Sequence, residues 1–153
     1  MTNKEVYPMK FTKMQGAGND FIVIDNRSGE IHESEYASLA ADLCRRRLSI
    51  GADGLMLVVP AQSTGDFAMR FYNSDGSLGE MCGNGARCVC RYGYETGLAG
   101  ETQTVETTAG IVTGVRISQR LYRVRLNDPS VVKLNCPVEV EGVSWPCSYV
   151  ELG

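Results

Sequence analysis

The chain has 153 residues, 43% hydrophobic and 22% charged, with 15 Lys and Arg against 18 Asp and Glu and a formal net charge of −3. That is one ordinary domain or a little more, enough to bury about 70% of the unfolded surface, and the apolar content excludes a disordered chain. The near balance of charge disfavours a nucleic-acid or acidic-membrane partner, and the longest apolar stretches, such as Leu55 to Val59, are too short to cross a bilayer.

In chain order, Met9 to Met14 alternates weakly and Phe21 to Asp25 is dense in β-branched residues, which predicts two strands. Gln15 to Asp20 between them reads as a turn with two permissive glycines. From about Ser34 to Arg47, Tyr36, Leu39, Ala40, Leu43 and Cys44 fall at helical spacing and form one apolar face. Arg45, Arg46 and Arg47 then occupy the last turn, where they complement the helix dipole, and Gly51 is the stop. Leu55 to Val59 reads as a buried strand ended by Pro60, and Phe67 to Tyr72 as another before an Asn73 to Gly76 turn.

A second helix is predicted from about Gly83 to Thr96, closed by Gly97, with Ala86, Val89, Cys90 and Tyr94 inward. Thr104 to Thr108, Ile111 to Ile117 and Leu121 to Leu126 read as strands, with Ser118 to Arg120 a hairpin loop. Val138 to Val143 and Trp145 to Leu152 read as one more hairpin around Glu141 and Gly142. Two helices among many short, adjacent strands predict an α+β fold with antiparallel sheet. The best candidate boundary is Asn127-Asp128-Pro129.

The six cysteines are Cys44, Cys82, Cys88, Cys90, Cys136 and Cys147. Met1 to Lys10 carries no apolar export segment, so a cytoplasmic location with reduced thiols is expected. The C-x5-C-x-C spacing differs from the C-x2-C pairs of structural zinc sites, and no metal site is expected. The single histidine, His32, argues against a Ser-His-Asp triad and reads as a capping or solvated residue.

The chemistry concentrates between Asn73 and Cys88, where a glycine-rich turn runs directly into the second helix with Cys82 at the junction. First-turn amides lack intrahelical partners and carry about half a positive charge, and a thiol there can titrate as low as about 3.5–7.5. Gly83, with no Cβ, lets a ligand carboxylate approach the same amides. The competing reading is a tight turn beside a buried cysteine; it is preferred for Cys44, Cys88, Cys90, Cys136 and Cys147. Taken singly, Asn19 and Asn73 read as turn residues, and neither Gly16 to Phe21 nor Gly83 to Gly85 completes a nucleotide-binding fingerprint.

Four segments occur in order: Met14-Gln-Gly-Ala-Gly-Asn-Asp-Phe21, Ser49-Ile-Gly-Ala-Asp-Gly54, Arg70-Phe-Tyr-Asn-Ser-Asp-Gly76 and Met81-Cys-Gly-Asn-Gly-Ala-Arg-Cys88. Together they closely resemble the amino-terminal half of diaminopimelate epimerase, from about Met9 to about Asp128 and less distinctly to Gly153. The resemblance implies two similar α+β domains with the site between them, each a mostly antiparallel sheet curled around a central helix. It implies interconversion of LL- and meso-diaminopimelate, in lysine and peptidoglycan synthesis, without pyridoxal or any other cofactor. One cysteine acts as a thiolate that removes the α-proton and another, from the second domain, protonates the opposite face. Cys82 is then the first-domain cysteine, Gly83 and Asn84 hold the α-carboxylate, and Asn19 and Asn73 bind substrate polar groups.

On that basis residues 1–127 are expected to form the first domain and 128–153 the truncated start of the second. Glu151-Leu-Gly153 stands about where the family continues into Gly-Asn-Pro-His, and neither Cys136 nor Cys147 has the glycine context of the second catalytic cysteine. The expected partners are a small amino-acid substrate, the missing carboxy-terminal domain and a second copy in a homodimer, with no nucleic acid and no membrane. The fragment alone is expected to be inactive. Some family members carry Gln at the position of Gly54, so that substrate contact is not expected here. The rival functions are a racemase or isomerase of the same fold, a non-catalytic carboxylate-binding module, and a zinc-bound structural domain.

Overall fold

The computed structural model describes residues 9–126 and 128–151. Asn127 of the expected boundary, Leu152 of the expected last strand, and the ends of both expected domains at Met1 and Gly153 lie outside the described residues. The strands are β1 (Thr12–Gly16), β2 (Asn19–Asp25), β3 (Gly54–Val59), β4 (Phe67–Asn73), β5 (Leu78–Gly79), β6 (Thr102–Thr107), β7 (Gly110–Arg116), β8 (Tyr122–Arg125), β9 (Val131–Val140) and β10 (Val143–Glu151). The helices are α1 (Tyr36–Leu43) and α2 (Gly83–Glu95).

The large sheet runs β1-β2-β3-β4-β6-β7-β8, with β5 added to β4. Most neighbours are antiparallel, but β2 pairs with β3, and β4 with β6, in parallel. The sheet is thus mostly antiparallel, as expected, with two parallel junctions that the connections require. Parallel neighbours need a crossover, and the two helices supply them, α1 between β2 and β3 and α2 between β4 and β6. The sheet curls, because α2 touches β1, β2 and β3 on one side and β7 and β8 on the other.

The curl explains the unbroken apolar runs of β2 and β3, which are covered on both faces. Phe21, Val23, Met56 and Val58 face α2 and join Phe67, Met69, Phe71, Cys88, Val89, Cys90, Val105 and Tyr122 in one core. Ile22, Ile24, Leu55, Leu57 and Tyr72 face the other way and pack with Tyr36 and Ala40 of α1 and with Cys44, which caps its end. Tyr94, expected inward, is only half-buried and lies at the margin of the first core, with the Arg116 guanidinium 4.4 Å above its ring.

Three local differences from the expected elements stand out, the first two of which bear on the site. The β1–β2 turn is only Ala17 and Gly18, both at positive φ (53° and 87°), so Gln15, Gly16, Asn19 and Asp20 belong to the strands. The first helix is shorter than its apolar spacing suggests: His32 caps a 3₁₀ turn over Glu33–Glu35, and α1 ends at Leu43. The Leu43 and Cys44 carbonyls accept from Gly51 N–H (2.9 Å) and Ala52 N–H (3.1 Å), which folds the chain back and carries the arginines off the helix. Finally, β9 starts at Val131, well before the expected Val138, and is bulged beside Asn135 (φ 55°); with β10 it forms a separate two-stranded sheet.

Candidate active site at the start of the second helix

Cys82 is the cap residue of α2, with extended backbone (φ −135°, ψ 110°). Its Sγ accepts the Gly85 N–H at 3.4 Å and its carbonyl accepts the Ala86 N–H at 2.8 Å, so a thiol takes the place usual for Ser or Asp. Gly85 is buried, and a Cβ there would lie 2.1 Å from Met56 Cε. The amides of Gly83 and Asn84 also lie in the first turn, where the helix offers no carbonyl to them. Across from Gly83 the nearest atoms to a Cβ would be the Leu126 methyls, from 3.6 Å.

Asn19, the first residue of β2, reaches the same sulfur, its Oδ1 standing 3.6 Å from Cys82 Sγ. Asn84 follows Gly83 on α2, with its Oδ1 accepting from Arg87 Nη1 at 2.9 Å. Asn73 ends β4 opposite Gly54, and its Nδ2 donates to Ser77 Oγ at 2.9 Å. The fold thus brings Cys82, Asn19, Gly83 and Asn84 together. The Asn73 side chain is engaged in its own turn.

Behind Asn19 lies a charged network. Asn19 Nδ2 donates to Asp53 Oδ2 at 2.6 Å, and Arg46 Nη2 bridges Asp53 Oδ1 (2.8 Å) and Asp20 Oδ1 (2.5 Å). Lys13 Nζ lies 2.8 Å from Asp20 Oδ2 and also donates to the Gly51 carbonyl. The Arg46 guanidinium, with Lys13, holds the Asp20 carboxyl well below the usual carboxylate range. The bonds from Asn19 and Arg46 lower that of Asp53.

The other thiols differ. Burial pushes Cys88 up to about 11 and Cys90 up to about 12, and it raises Cys44 as well. Cys136 is half-buried and Cys147 exposed, in register with one another on the hairpin. Among the described residues no group of three or more His, Cys, Asp or Glu could hold a metal ion, and no helix is long and apolar enough to cross a membrane. A shallow cavity of about 320 Å³ lined by Asn26, Arg27, Glu33, Tyr36, Pro60 and Arg70, among others, includes none of the residues around Cys82.

A sequence model of the diaminopimelate epimerase family matches residues 11–130. The chain belongs to that family. The diaminopimelate epimerase of Moorella thermoacetica is 40% identical over 162 residues, covering 95% of this chain and 57% of that protein. That of Carboxydothermus hydrogenoformans is 43% identical over 135 residues, covering 87% and 49%. The chain therefore spans about half the length of these curated relatives. Among solved structures, a hydroxyproline epimerase from Agrobacterium vitis aligns with a TM-score of 0.67 at 19% identity, over 87% of this chain and 45% of that one. A probable proline racemase from Agrobacterium radiobacter aligns at 0.65 and 19%, over 88% and 46%. These two likenesses are of fold, and the expected α+β epimerase-like domain stands.

Sequence reasoning missed Arg46 and Asp53. The arginine run reads locally as the positive end of a helix, whereas Arg46 lies beyond that end and binds acids on β2 and before β3. The signal was present, since Asp20 and Asp53 sit inside two of the segments that resemble the diaminopimelate epimerase family. At Gly54 the close β3–β4 pairing leaves no room for a side chain: a Cβ would lie 2.5 Å from Phe71 Cε2 and 2.8 Å from the Tyr72 carbonyl oxygen.

Proposed function

We propose that the chain is the amino-terminal part of a diaminopimelate epimerase and supplies one of two cysteines that exchange the α-proton between the LL and meso isomers. The observation that carries this is Cys82 at the cap of α2 with a backbone N–H donated to its sulfur. Inverting a stereocentre by proton exchange needs a base on one face of the carbon and an acid on the other. Cys82 as thiolate takes the α-proton: the C–H bond breaks, an S–H bond forms, and the electron pair moves toward the carboxylate. A second cysteine, from the family's second domain, delivers a proton from the opposite face.

With no pyridoxal in this reading, fixed donors must stabilise the growing carboxylate charge. In this reading the Gly83 and Asn84 amides at the start of α2 take that part, and removing one such donor typically costs about 3 kcal/mol of transition-state stabilisation. Asn19 and Asn73 receive the substrate's other polar groups, Asn73 after giving up its bond to Ser77. Residues 1–127 then form the first-cysteine domain and 128–153 open the second, a division supported by the end of the large sheet at Arg125 and the separate hairpin from Val131. A cytoplasmic role in lysine and peptidoglycan synthesis, and a homodimer, belong to the same proposal.

The test is α-proton exchange in deuterated water. The 153-residue chain alone is expected to give negligible inversion of either isomer. A polypeptide continuing this sequence over the length of its relatives is expected to invert both, and to lose that activity in Cys82→Ser. Robust inversion by the chain alone, full activity of the long Cys82→Ser variant, or turnover of proline in place of diaminopimelate would each overturn the proposal.

A further inference from the structure

We infer that Asp53 is a positioning residue that acts through Asn19 to keep Cys82 protonated until a ligand arrives; this rests on the reading of Cys82 as the proton-transferring thiol. Two hydrogen bonds meet at the sulfur and pull in opposite directions. The Gly85 N–H at 3.4 Å favours the charged form, whereas the Asn19 oxygen at 3.6 Å only accepts and therefore favours S–H.

Which end of the Asn19 carboxamide faces the sulfur is decided by Asp53. An ionised carboxylate is an acceptor only, so the Asn19 atom 2.6 Å from Asp53 Oδ2 is Nδ2, and the oxygen is turned to Cys82. Asp53 is itself held, by Arg46 Nη2 on Oδ1 (2.8 Å) and by the Asp20 N–H on Oδ2 (3.1 Å). Among the described residues, the charged and titratable groups around the pair are Lys13 on β1, Asp20 on β2, Arg46 beyond α1, Asp53 before β3, and Cys88 on α2, whose thiol is raised chiefly by burial and in smaller part by the nearness of Cys82.

The arrangement links binding to ionisation. An ammonium group drawn to Asn19 Oδ1 takes that acceptor from the thiol. The S–H bond then breaks with its electron pair left on sulfur and the proton passing to solvent. The ligand that needs the base is thereby the one that frees it.

Removing the Asp53 charge could also favour a thiolate directly, so the test is a double-mutant cycle. Alkylation of Cys82 by iodoacetamide is followed by peptide mapping across the neutral to alkaline range in the ligand-free chain, with exposed Cys147 as internal reference. Asp53→Asn is expected to move the Cys82 profile to lower pH and speed its labelling near neutral pH about fivefold, the worth of one net hydrogen bond. Asn19→Ala is expected to do the same, and Asp53→Asn added to Asn19→Ala to change nothing more.

An equal shift in both backgrounds would mean a direct charge effect and would overturn the inference, as would an unmoved profile in Asp53→Asn. Should Asp53→Asn fail to fold, Asn19→Ala must by itself speed the labelling, and unchanged or slower labelling would overturn the inference. The readout needs no turnover, so it can fail while the epimerase proposal stands, and the reverse.

Discussion

Gly54→Ala is expected to destabilise the chain by about 2–3 kcal/mol. Gly54 opens β3 between Phe21 on one side and Asn73 on the other. A Cβ there would lie 2.5 Å from Phe71 Cε2, whereas non-bonded carbons settle at about 3.5–4.0 Å, so the ring must retreat by about 1 Å. It has little room to do so. One neighbour is Phe21, edge to face at 6.1 Å, and the other edge of the ring covers Gly79, where a Cβ would meet Cδ1 at 2.3 Å. The second obstacle, the Tyr72 carbonyl oxygen at 2.8 Å, is backbone and moves only if the β3–β4 pairing opens.

Overpacking typically costs about 1–3 kcal/mol, and two stiff neighbours place this case in the upper part of that range. At this chain length each kcal/mol lowers Tm by about 2–4 °C, which gives a loss of roughly 5–10 °C. Urea unfolding followed by far-ultraviolet circular dichroism should show a lower midpoint at unchanged slope. Gly83→Ala is the control, because its new methyl meets only the Leu126 methyls at ordinary contact distance. A Gly54→Ala loss below about 0.5 kcal/mol, the range of an ordinary surface substitution, would refute the claim that Phe71 is immobile.

Two further outcomes follow from the thiols and from Glu106. At about pH 8 iodoacetamide is expected to label Cys82 and Cys147 while Cys88 and Cys90, pushed up to about 11 and about 12 by burial, stay unreacted; peptide mapping that finds Cys88 labelled as fast as Cys82 would contradict the packing described. Glu106 accepts from Ser63 Oγ–H (2.6 Å) and from the N–H groups of Gln62 (2.7 Å), Ser63 (2.7 Å) and Gly65 (3.1 Å). These bonds lower its carboxyl from 4.5 to about 2. A depressed acid stabilises the fold above its unfolded value and ceases to as pH falls through the folded one. Hydrogen-exchange protection of those three amides should therefore fall between about pH 4.5 and about pH 2, and in Glu106→Gln it should already be weak at neutral pH. Full protection at pH 2 would show that another contact holds the loop.

Local signals carried much of this architecture. The passage from a glycine-rich turn into the apolar face of α2 was legible because capping and amphipathic spacing are written in neighbouring residues, and that alone put Cys82 at a helix start. The two parallel junctions were not legible, since a strand shows which residues are buried without showing its neighbour's direction. By sequence Asn19 reads as a loop residue because two glycines bracket Ala17, yet a two-residue turn needs only Ala17 and Gly18. Arg46 escaped notice because its partners are Asp20, on a strand before α1, and Asp53, beyond a turn. Asn73 closes β4, and its side chain bonds to the Ser77 hydroxyl across the turn, a contact that the spacing of the two residues does not announce.

The curl of the sheet makes α2 an axle seated between two bearings. At one rim a Cβ on Gly16 would meet the Asn84 carbonyl oxygen at 3.0 Å and Cys88 Sγ at 3.2 Å, and at the other a Cβ on Gly114 would meet Cys90 Sγ at 2.3 Å. The helix sinks as deep as it does because neither rim carries a methyl there. The placing of Cys82 at the head of α2 is thus delegated to strands on which it does not sit, and a substitution at either bearing is expected to turn its sulfur without touching it.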